Sequence, residues 1–145
     1  MTFPTNEYNQ QLIDNFRAHN GVMPNRSPLL LLTTRGAKTQ QMRVNPLVYT
    51  RDGDRYVIIA SKGGYPSNPD WYHNLVANPE VTVEVDGLKF LAHAIVVHGD
   101  ERKRLFDAQA AVMPNFAEYQ TRTTRTIPVV VLEPFGETHR VSGSE

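Results

Sequence analysis

The sequence of 145 residues contains no cysteine, which excludes disulfide bonds, thiol nucleophiles and zinc sites built on thiolates. Its 15 basic and 15 acidic residues cancel, so the composition does not favour binding to nucleic acid. It also lacks a signal peptide at its start and any apolar run near the ~20 residues of a membrane-spanning helix. These absences predict a cytoplasmic protein and leave open a peripheral contact with the inner face of the membrane.

The motifs of several common enzyme classes are also missing. There is no G-x-S-x-G nucleophile elbow, no P-loop and no pair of carboxylates that stands out for glycoside hydrolysis. No pair of histidines has the i, i+4 spacing of a helical metal site among His19, His73, His93, His98 and His139. We therefore expect no metal, and a bound organic cofactor would have to supply the difficult chemistry.

Hydrophobic periodicity predicts both strands and helices. An amphipathic helix is expected over about 6–19, and later helices begin near 68 and 100. Strands are expected over 29–32, 43–50, 55–61, 81–85, 88–98 and 127–132. About six strands in hairpins, with helices inserted late, indicate an α+β domain curled around an antiparallel β-barrel. The predicted organisation is an N-terminal helix within residues 1–20 and a single domain over 21–145.

Local signals predict the ends of several elements. Asp52-Gly53 and Asp86-Gly87 each predict a hairpin turn, because glycine accepts the positive φ that such turns require. Asn68 and Asp100 are the expected N-caps of the two later helices. We expect the first helix to pack against the domain; contact with a partner or a bilayer is the alternative.

Three loops carry residues suited to a binding site. The first holds Lys38, Thr39 and Arg43, two cations and a hydroxyl that could bind phosphate or carboxylate. The second, Ser-Lys-Gly-Gly at 61–64, lets backbone N–H groups approach an anion closely. The third contains Trp71, the only tryptophan, which could cover a planar ring. Each loop also has an ordinary explanation: a solvated hairpin loop, a common glycine turn and an apolar helix face.

Taken together and in order, these segments resemble the deazaflavin-dependent nitroreductase family, whose members use coenzyme F420. The matching text is L-L-T-T-R-G-A-K-T-Q-Q-M-R-V-N-P-L at 31–47, A-S-K-G-G at 60–64, N-P-D-W-Y-H-N-L-V-A-N-P-E-V at 68–81 and R-T-I-P-V-V-V-L-E-P at 125–134. The resemblance implies a split β-barrel of the FMN-binding type and reduced coenzyme F420 as cofactor. The chain departs from the family at Gly36-Ala37-Lys38-Thr39-Gln40, where relatives often read Gly-Arg-Lys-Ser/Thr-Gly.

The resemblance also implies which residues contact the cofactor. Lys38, Thr39 and Arg43 would meet its phosphate and acidic tail, and Trp71 and Tyr72 would close the site. The full implied set is Ala37, Lys38, Thr39, Arg43, Val44, Asn45, Pro46, Leu47, Ala60, Ser61, Lys62, Gly63, Asp70, Trp71 and Tyr72.

The implied reaction is direct hydride transfer to a small-molecule acceptor, a quinone, a nitroaromatic or another conjugated compound. Tyr119 stands where family members have a substrate-side tyrosine, so we expect it to donate a proton or anchor the substrate, with Ser61 as the second candidate. Met113 and Phe116 would line the substrate side in place of further tyrosines, which favours quinones over nitro compounds.

Two alternatives stay open at this point. The same fold could bind FMN, or the chain could be a non-catalytic carrier of a deazaflavin or a lipid-like ligand. A monomer and a homodimer are both compatible with the sequence.

Overall fold

The computed structural model describes residues 7–22 and 28–141. It contains four α-helices, one short 3-10 helix (Lys62–Gly64) and seven strands within those ranges. The α-helices are α1 (Glu7–Ala18), α2 (Asp70–Ala77), α3 (Gly99–Val112) and α4 (Asn115–Thr121). The strands are β1 (Leu29–Arg35), β2 (Met42–Val48), β3 (Thr50–Asp52), β4 (Arg55–Ile59), β5 (Glu80–Val85), β6 (Leu88–Val97) and β7 (Val129–Arg140).

All seven strands form one antiparallel sheet in the order β2-β1-β5-β6-β7-β4-β3. The two edge strands, β2 and β3, are consecutive in the chain and are separated only by Tyr49. The sheet must therefore curl until its edges meet, because one residue spans only ~3.5 Å. This geometry confirms the predicted α+β fold with an antiparallel split barrel.

Alternating side chains divide the apolar residues between the two faces of the sheet. The inner face fills the barrel, for example with Leu30, Leu32 and Leu132. On the outer face, Val57 and Ile59 pack with residues of α3 and α4, such as Leu105, Phe106 and Phe116. Trp71 and Leu75 of α2 enter the inner cluster, so α2 closes the barrel at the end where β1 and β4 finish.

The first helix packs against the barrel, as expected. Ile13 and Phe16 are buried against Leu29 and Leu31, on the outer face of β1. Each buried side chain of this size contributes about 2 kcal/mol. The predicted helix began at Asn6, which lies outside the described residues; the helix itself is described from Glu7. None of the helices in the described ranges has the length and apolar character needed to cross a membrane.

Several predicted element bounds are wrong by more than a residue. The strand expected over 43–50 is two strands, because the chain passes from one sheet edge to the other at Tyr49. The last strand continues to Arg140 instead of ending at Leu132, because β6 is ten residues long and pairs along this whole extension. The hairpin turns at Asp52-Gly53 and Asp86-Gly87 are confirmed, with positive φ at Gly53, Asp86 and Gly87.

The two predicted N-caps are also wrong. Pro69 occupies the N-cap position of α2 without a side-chain bond, and the Asn68 amide oxygen instead accepts a hydrogen bond from Arg125. Helix α3 begins at Gly99 with His98 at the cap position, so Asp100 lies in the first turn. An acidic residue there still interacts favourably with the positive end of the helix dipole.

Candidate active site

The loop between β1 and β2 is a tight turn that exposes Lys38 and Thr39. The Gly36 N–H donates to the Gln41 carbonyl (2.7 Å), and the Gln40 N–H donates to the Gly36 carbonyl (3.0 Å). A Cβ at Gly36 would lie 2.6 Å from Thr39 Oγ1 and 3.2 Å from the Gln41 carbonyl oxygen, so a larger residue there would displace the Thr39 side chain. The cation and the hydroxyl of this loop are both open to solvent and available to a ligand.

Asn74, a buried residue of α2, attaches the helix to this loop. Its Oδ1 accepts the Ala37 N–H (3.0 Å), and its Nδ2 donates to Thr34 Oγ1 (3.2 Å). One turn later, Asn78 Nδ2 donates to the Arg35 carbonyl (3.3 Å). Asn74 therefore sets the position of the first predicted loop relative to the third.

The predicted residues of β2 lie on two different faces. Asn45 and Leu47 pair with Leu32 and Leu30, so they share the inner face of the barrel with those residues. Arg43 pairs with Thr34 and follows the same alternation. Val44 and Pro46 alternate onto the outer face, where Val44 packs against the cluster beneath α1. The structure does not bring these two side chains together with the others.

The second predicted loop has a conformation suited to binding an anion. The Ser61 backbone has the right-handed helical conformation, with φ −75° and ψ −39°. The next three residues have positive φ: Lys62 at 47°, Gly63 at 62° and Gly64 at 83°. A change from right-handed to left-handed backbone gathers successive N–H groups into a concave anion site. A Cβ at Gly63 would meet nothing within 4 Å, so this position is open.

The same turn packs closely on α4. A Cβ at Gly64 would lie 2.7 Å from the Tyr119 carbonyl oxygen and 2.8 Å from Arg122 Cβ. Glycine is therefore required at residue 64 for two reasons, its positive φ and the approach of α4. This contact brings the turn containing Ser61 and Lys62 next to the helix containing Tyr119.

Tyr119 is partly exposed, and its hydroxyl oxygen accepts a hydrogen bond from Asn115 Nδ2 (2.8 Å). Because the oxygen is the acceptor in that bond, its own proton is left for donation elsewhere. Met113 and Phe116 are only 8% and 5% exposed and pack in the cluster between α3, α4 and the sheet. Of the three predicted substrate residues, the structure thus exposes only Tyr119 appreciably.

The aromatic residues of α2 differ in exposure. Trp71 is buried in the inner cluster, where it packs with the barrel. This is the position expected if Trp71 belongs to an apolar helix face. Tyr72 is partly buried at the edge of the same cluster, and Asp70 is exposed in the first turn of the helix. The structure therefore leaves Tyr72 and Asp70, but not Trp71, with substantial surface to offer a ligand.

A residue that the sequence did not single out, Arg125, holds the segment between β4 and α2. Its Nε donates to the Tyr65 carbonyl (2.9 Å), and its Nη2 donates to the Ser61 carbonyl (2.7 Å). Its Nη1 donates to Asn68 Oδ1 (2.6 Å) and to the Ala60 carbonyl (3.3 Å). Burial lowers the pKa of Arg125, but a guanidinium stays protonated in proteins.

Charge is distributed unevenly around these loops. The sequence has no Asp or Glu between residues 29 and 51 or between 55 and 69, although its net charge is zero. Among residues 7–22 and 28–141, the ion pairs include none made by Lys38, Lys62 or Arg125. Exposed cations beside a concave row of N–H groups fit a ligand with anionic groups, such as a phosphate-bearing cofactor.

Gln40 has a positive φ of 62° in the first loop. This is the position at which relatives often have glycine, and a non-glycine residue there carries a strain of roughly 1 kcal/mol. Gln40 thus adopts a left-handed backbone although it is not glycine.

The sequence alone did not indicate Asn74, Asn115, Gln120 or Arg125. Arg125 and Asn74 stood inside the matched text, at 125–134 and 68–81, which was the available signal. The others are polar residues on amphipathic helices, and nothing local distinguishes them from a solvated helix face.

Comparisons with known proteins identify the family of the chain. Residues 8–134 match the F420H2_quin_red family, described as F420H(2)-dependent quinone reductase. The F420H(2)-dependent quinone reductase of Mycobacterium tuberculosis (strain ATCC 25618 / H37Rv) is 48% identical over 113 residues, which cover 76% of each chain. The family match begins at residue 8, so it includes almost all of α1. The motifs quoted in the sequence analysis did not include this helix.

Two solved structures extend the similarity to the fold. An F420-H2 dependent reductase (FDR-A) has a TM-score of 0.69 and 38% identity, covering 78% of this chain and 100% of that one. A protein described as a domain-swapped dimer has a TM-score of 0.70 and 35% identity, covering 86% and 95%. The predicted resemblance, the split barrel and reduced coenzyme F420 as cofactor are confirmed. The chain belongs to the F420H(2)-dependent quinone reductase family of oxidoreductases.

Proposed function

We propose that this protein reduces a quinone-class acceptor with reduced coenzyme F420, at the surface between the 36–41 loop, the 61–64 turn and α4. The observation that carries the proposal is the close packing of the glycine turn on the helix of Tyr119, at Gly64. This contact places the concave backbone of the turn against the helix of Tyr119, whose hydroxyl has a proton available for donation. The family and its relatives supply the cofactor and the class of acceptor.

The cofactor would be held by charges and backbone donors. Lys38, Thr39 and Arg43 are the proposed contacts of its anionic tail. The N–H groups of Ser61, Lys62 and Gly63 are the proposed contacts of an anionic or carbonyl oxygen. The Gly64 N–H instead donates to the Ser61 carbonyl within the turn. Asn45 and Leu47 are proposed to line the ring from the inner face of β2. Val44 and Pro46 would contribute through their backbone, and Tyr72 and Asp70 would border the site. Ala37 and Ala60 would act indirectly, because the Ala37 N–H donates to Asn74 and the Ala60 backbone is bonded to Pro128 and Arg125.

Reduced coenzyme F420 supplies a hydride when bound. An acceptor quinone that gains a hydride also needs a proton to become a hydroquinone, and we propose that the Tyr119 hydroxyl donates it. Asn115 supports this role. Its Nδ2 donates a hydrogen bond to the Tyr119 hydroxyl oxygen, so the hydroxyl proton points away from Asn115. Ser61 is the second candidate, and the protein's further contribution is to align the reactants and exclude water.

An apolar setting behind the site supports a quinone over a nitro compound. Met113 and Phe116 pack directly beside Tyr119, with the Phe116 and Tyr119 rings edge to face at 5.4 Å. We propose nitro compounds as slower substrates, because the Met113 and Phe116 side chains have no hydrogen-bond donor to offer a nitro group.

The test is a turnover assay with reduced coenzyme F420 and menadione, followed by the absorbance of the oxidised cofactor. We expect cofactor oxidation above the enzyme-free rate, and slower oxidation with a nitroaromatic at equal concentration. Tight binding of the cofactor without turnover over a panel of acceptors would favour the carrier alternative. Turnover with reduced FMN but not with reduced F420 would contradict the proposal.

A further inference from the structure

The charge of Arg125 is not balanced by a carboxylate. Its four acceptors are three backbone carbonyls and the Asn68 amide oxygen, all of them neutral. Among residues 7–22 and 28–141 it takes part in none of the ion pairs. A positive charge therefore lies directly behind the turn proposed to hold an anionic cofactor.

The same hydrogen bonds determine which way the turn presents its N–H groups. In a planar trans peptide the C=O and the N–H point in opposite directions. Because the Ser61 carbonyl points at Arg125, the Lys62 N–H points away from it. The Ala60 carbonyl also points at Arg125, so the Ser61 N–H points away as well. Arg125 thus directs two successive donors to the opposite side of the turn.

Arg125 is itself fixed to the helix that carries Tyr119. Gln120, the next residue of α4, donates from Nε2 to the Arg125 carbonyl (2.8 Å). Gln120 Oε1 accepts the Ile127 N–H (3.1 Å) and a bond from Arg102 Nη2 (3.1 Å). The side chains of Arg125 and Gln120 together therefore connect the turn of Ser61 to α4, and a movement of either would be transmitted to the other.

We propose that Arg125 is a positioning residue for the reaction: it aims the Ser61 and Lys62 N–H groups at the anionic cofactor and fixes their distance from Tyr119. It acts through the carbonyls of the turn and contacts neither the cofactor nor the acceptor. The inference rests on the proposed function. The charge of Arg125 adds a long-range attraction for the cofactor. That attraction does not replace the correct orientation of the Ser61 and Lys62 N–H groups.

The test compares two substitutions of Arg125 with a surface control. Arg125→Lys keeps the charge but loses the planar fork that reaches four acceptors, and Arg125→Gln loses both. Lys103→Gln removes one charge from an exposed position of α3 and serves as the control. The readouts are the Kd for oxidised coenzyme F420, followed by its fluorescence, the kcat and KM for menadione, and thermal unfolding.

We expect Arg125→Lys to raise the Kd for coenzyme F420 about tenfold and to lower kcat, because charge-assisted hydrogen bonds are lost. Arg125→Gln should raise the Kd further, while the KM for menadione and the Lys103→Gln values stay at those of the wild type. A merely structural role would change thermal unfolding without this separation of Kd from KM. Folded Arg125 variants with wild-type Kd and kcat would overturn the proposal.

Wild-type protein is measured first. If it neither binds coenzyme F420 nor reduces menadione, the proposed function fails and this inference falls with it. If the wild type binds and the Arg125 variants bind equally well, only the inference fails. If the Arg125 variants do not fold, Asn68→Ala decides, because it removes one acceptor and leaves Arg125 intact. A raised Kd for Asn68→Ala supports the proposal, and an unchanged Kd contradicts it.

Discussion

The charged side chains at the two ends of the barrel have different kinds of partner. At the end with the Asp52-Gly53 hairpin, Asp52 pairs with Arg55 and Arg104, and Arg55 also pairs with Glu101. These bonds hold the pKa of Asp52 down at about 2. At the other end of β4, Lys62 donates to the Ser67 hydroxyl and Arg125 to neutral oxygens. Cations are neutralised within the protein at the first end and left for a ligand at the second.

This contrast explains how a chain with no net charge can bind an anionic cofactor. The total of 15 basic and 15 acidic residues hides a local separation, since the loops of the candidate site contain cations in stretches free of acid. Local field, not net charge, decides where an anion binds. The hairpin end uses the same residue types for stability, through ion pairs that tie β3 and β4 to α3.

Substitution of Gly64 should have the largest effect. Gly64→Ala is expected to destabilise the protein by about 3 kcal/mol, because it combines a strained positive φ with a clash against α4. Gly53→Ala at the hairpin end has a similar φ but open space, and should cost about 1 kcal/mol. Denaturant unfolding measures both. An equal loss of unfolding free energy in the two variants would contradict the tight contact between the turn and α4.

Removing the Tyr119 hydroxyl should affect chemistry and not binding. We expect Tyr119→Phe to lower menadione turnover about 100-fold, the usual scale for a lost proton donor, with an unchanged Kd for coenzyme F420. Tyr8→Phe, at an exposed position of α1, is the control and should have wild-type turnover. Full turnover in Tyr119→Phe would assign the proton to Ser61 or to water.

Lys38→Ala tests the charge of the first loop. The Kd for coenzyme F420 should rise about fivefold at low ionic strength, and the effect should shrink as salt screens the interaction. Lys103→Ala removes a cation that is already paired with Asp107, so it should leave the Kd unchanged. Isothermal titration at two salt concentrations makes the comparison. A salt-independent effect, or none, would exclude Lys38 from the tail contacts.

Gln40→Gly tests the strain at the loop departure from the family pattern. The substitution should stabilise the protein by about 1 kcal/mol, because glycine adopts positive φ without a Cβ clash. Gln41→Gly, at a neighbouring position without positive φ, should instead be destabilising. Thermal unfolding of both variants distinguishes relief of strain from a general effect of glycine in this loop.

Asp52→Asn should have the smallest effect, below about 1 kcal/mol at neutral pH, since exposed ion pairs are screened. Its pKa is lower in the folded protein than in the unfolded chain, so its contribution is present above pH ~4 and is lost as the pH falls through about 2. The difference in unfolding free energy between wild type and variant should disappear over that window. A constant difference from pH 7 to pH 2 would contradict the ion-pair network.

Local signals predicted much of the fold, while features that depend on distant contacts were missed. The glycine turns at Asp52-Gly53 and Asp86-Gly87 could be predicted because their conformation depends on adjacent residues. The break at Tyr49 could not, because it follows from closure of the sheet. The hydrogen bonds that the Arg125 guanidinium donates reach residues 57 to 65 positions away in the chain, and no local pattern encodes them.

The most direct test of the central claim compares two ligands that share one ring. Intact coenzyme F420 carries the anionic tail, and the same deazaflavin with only its ribityl chain does not. The account predicts that the intact cofactor binds more tightly at low salt and that its advantage shrinks as salt is added, because the cations at the site contribute the difference. Equal affinity of the two ligands at every salt concentration would contradict it.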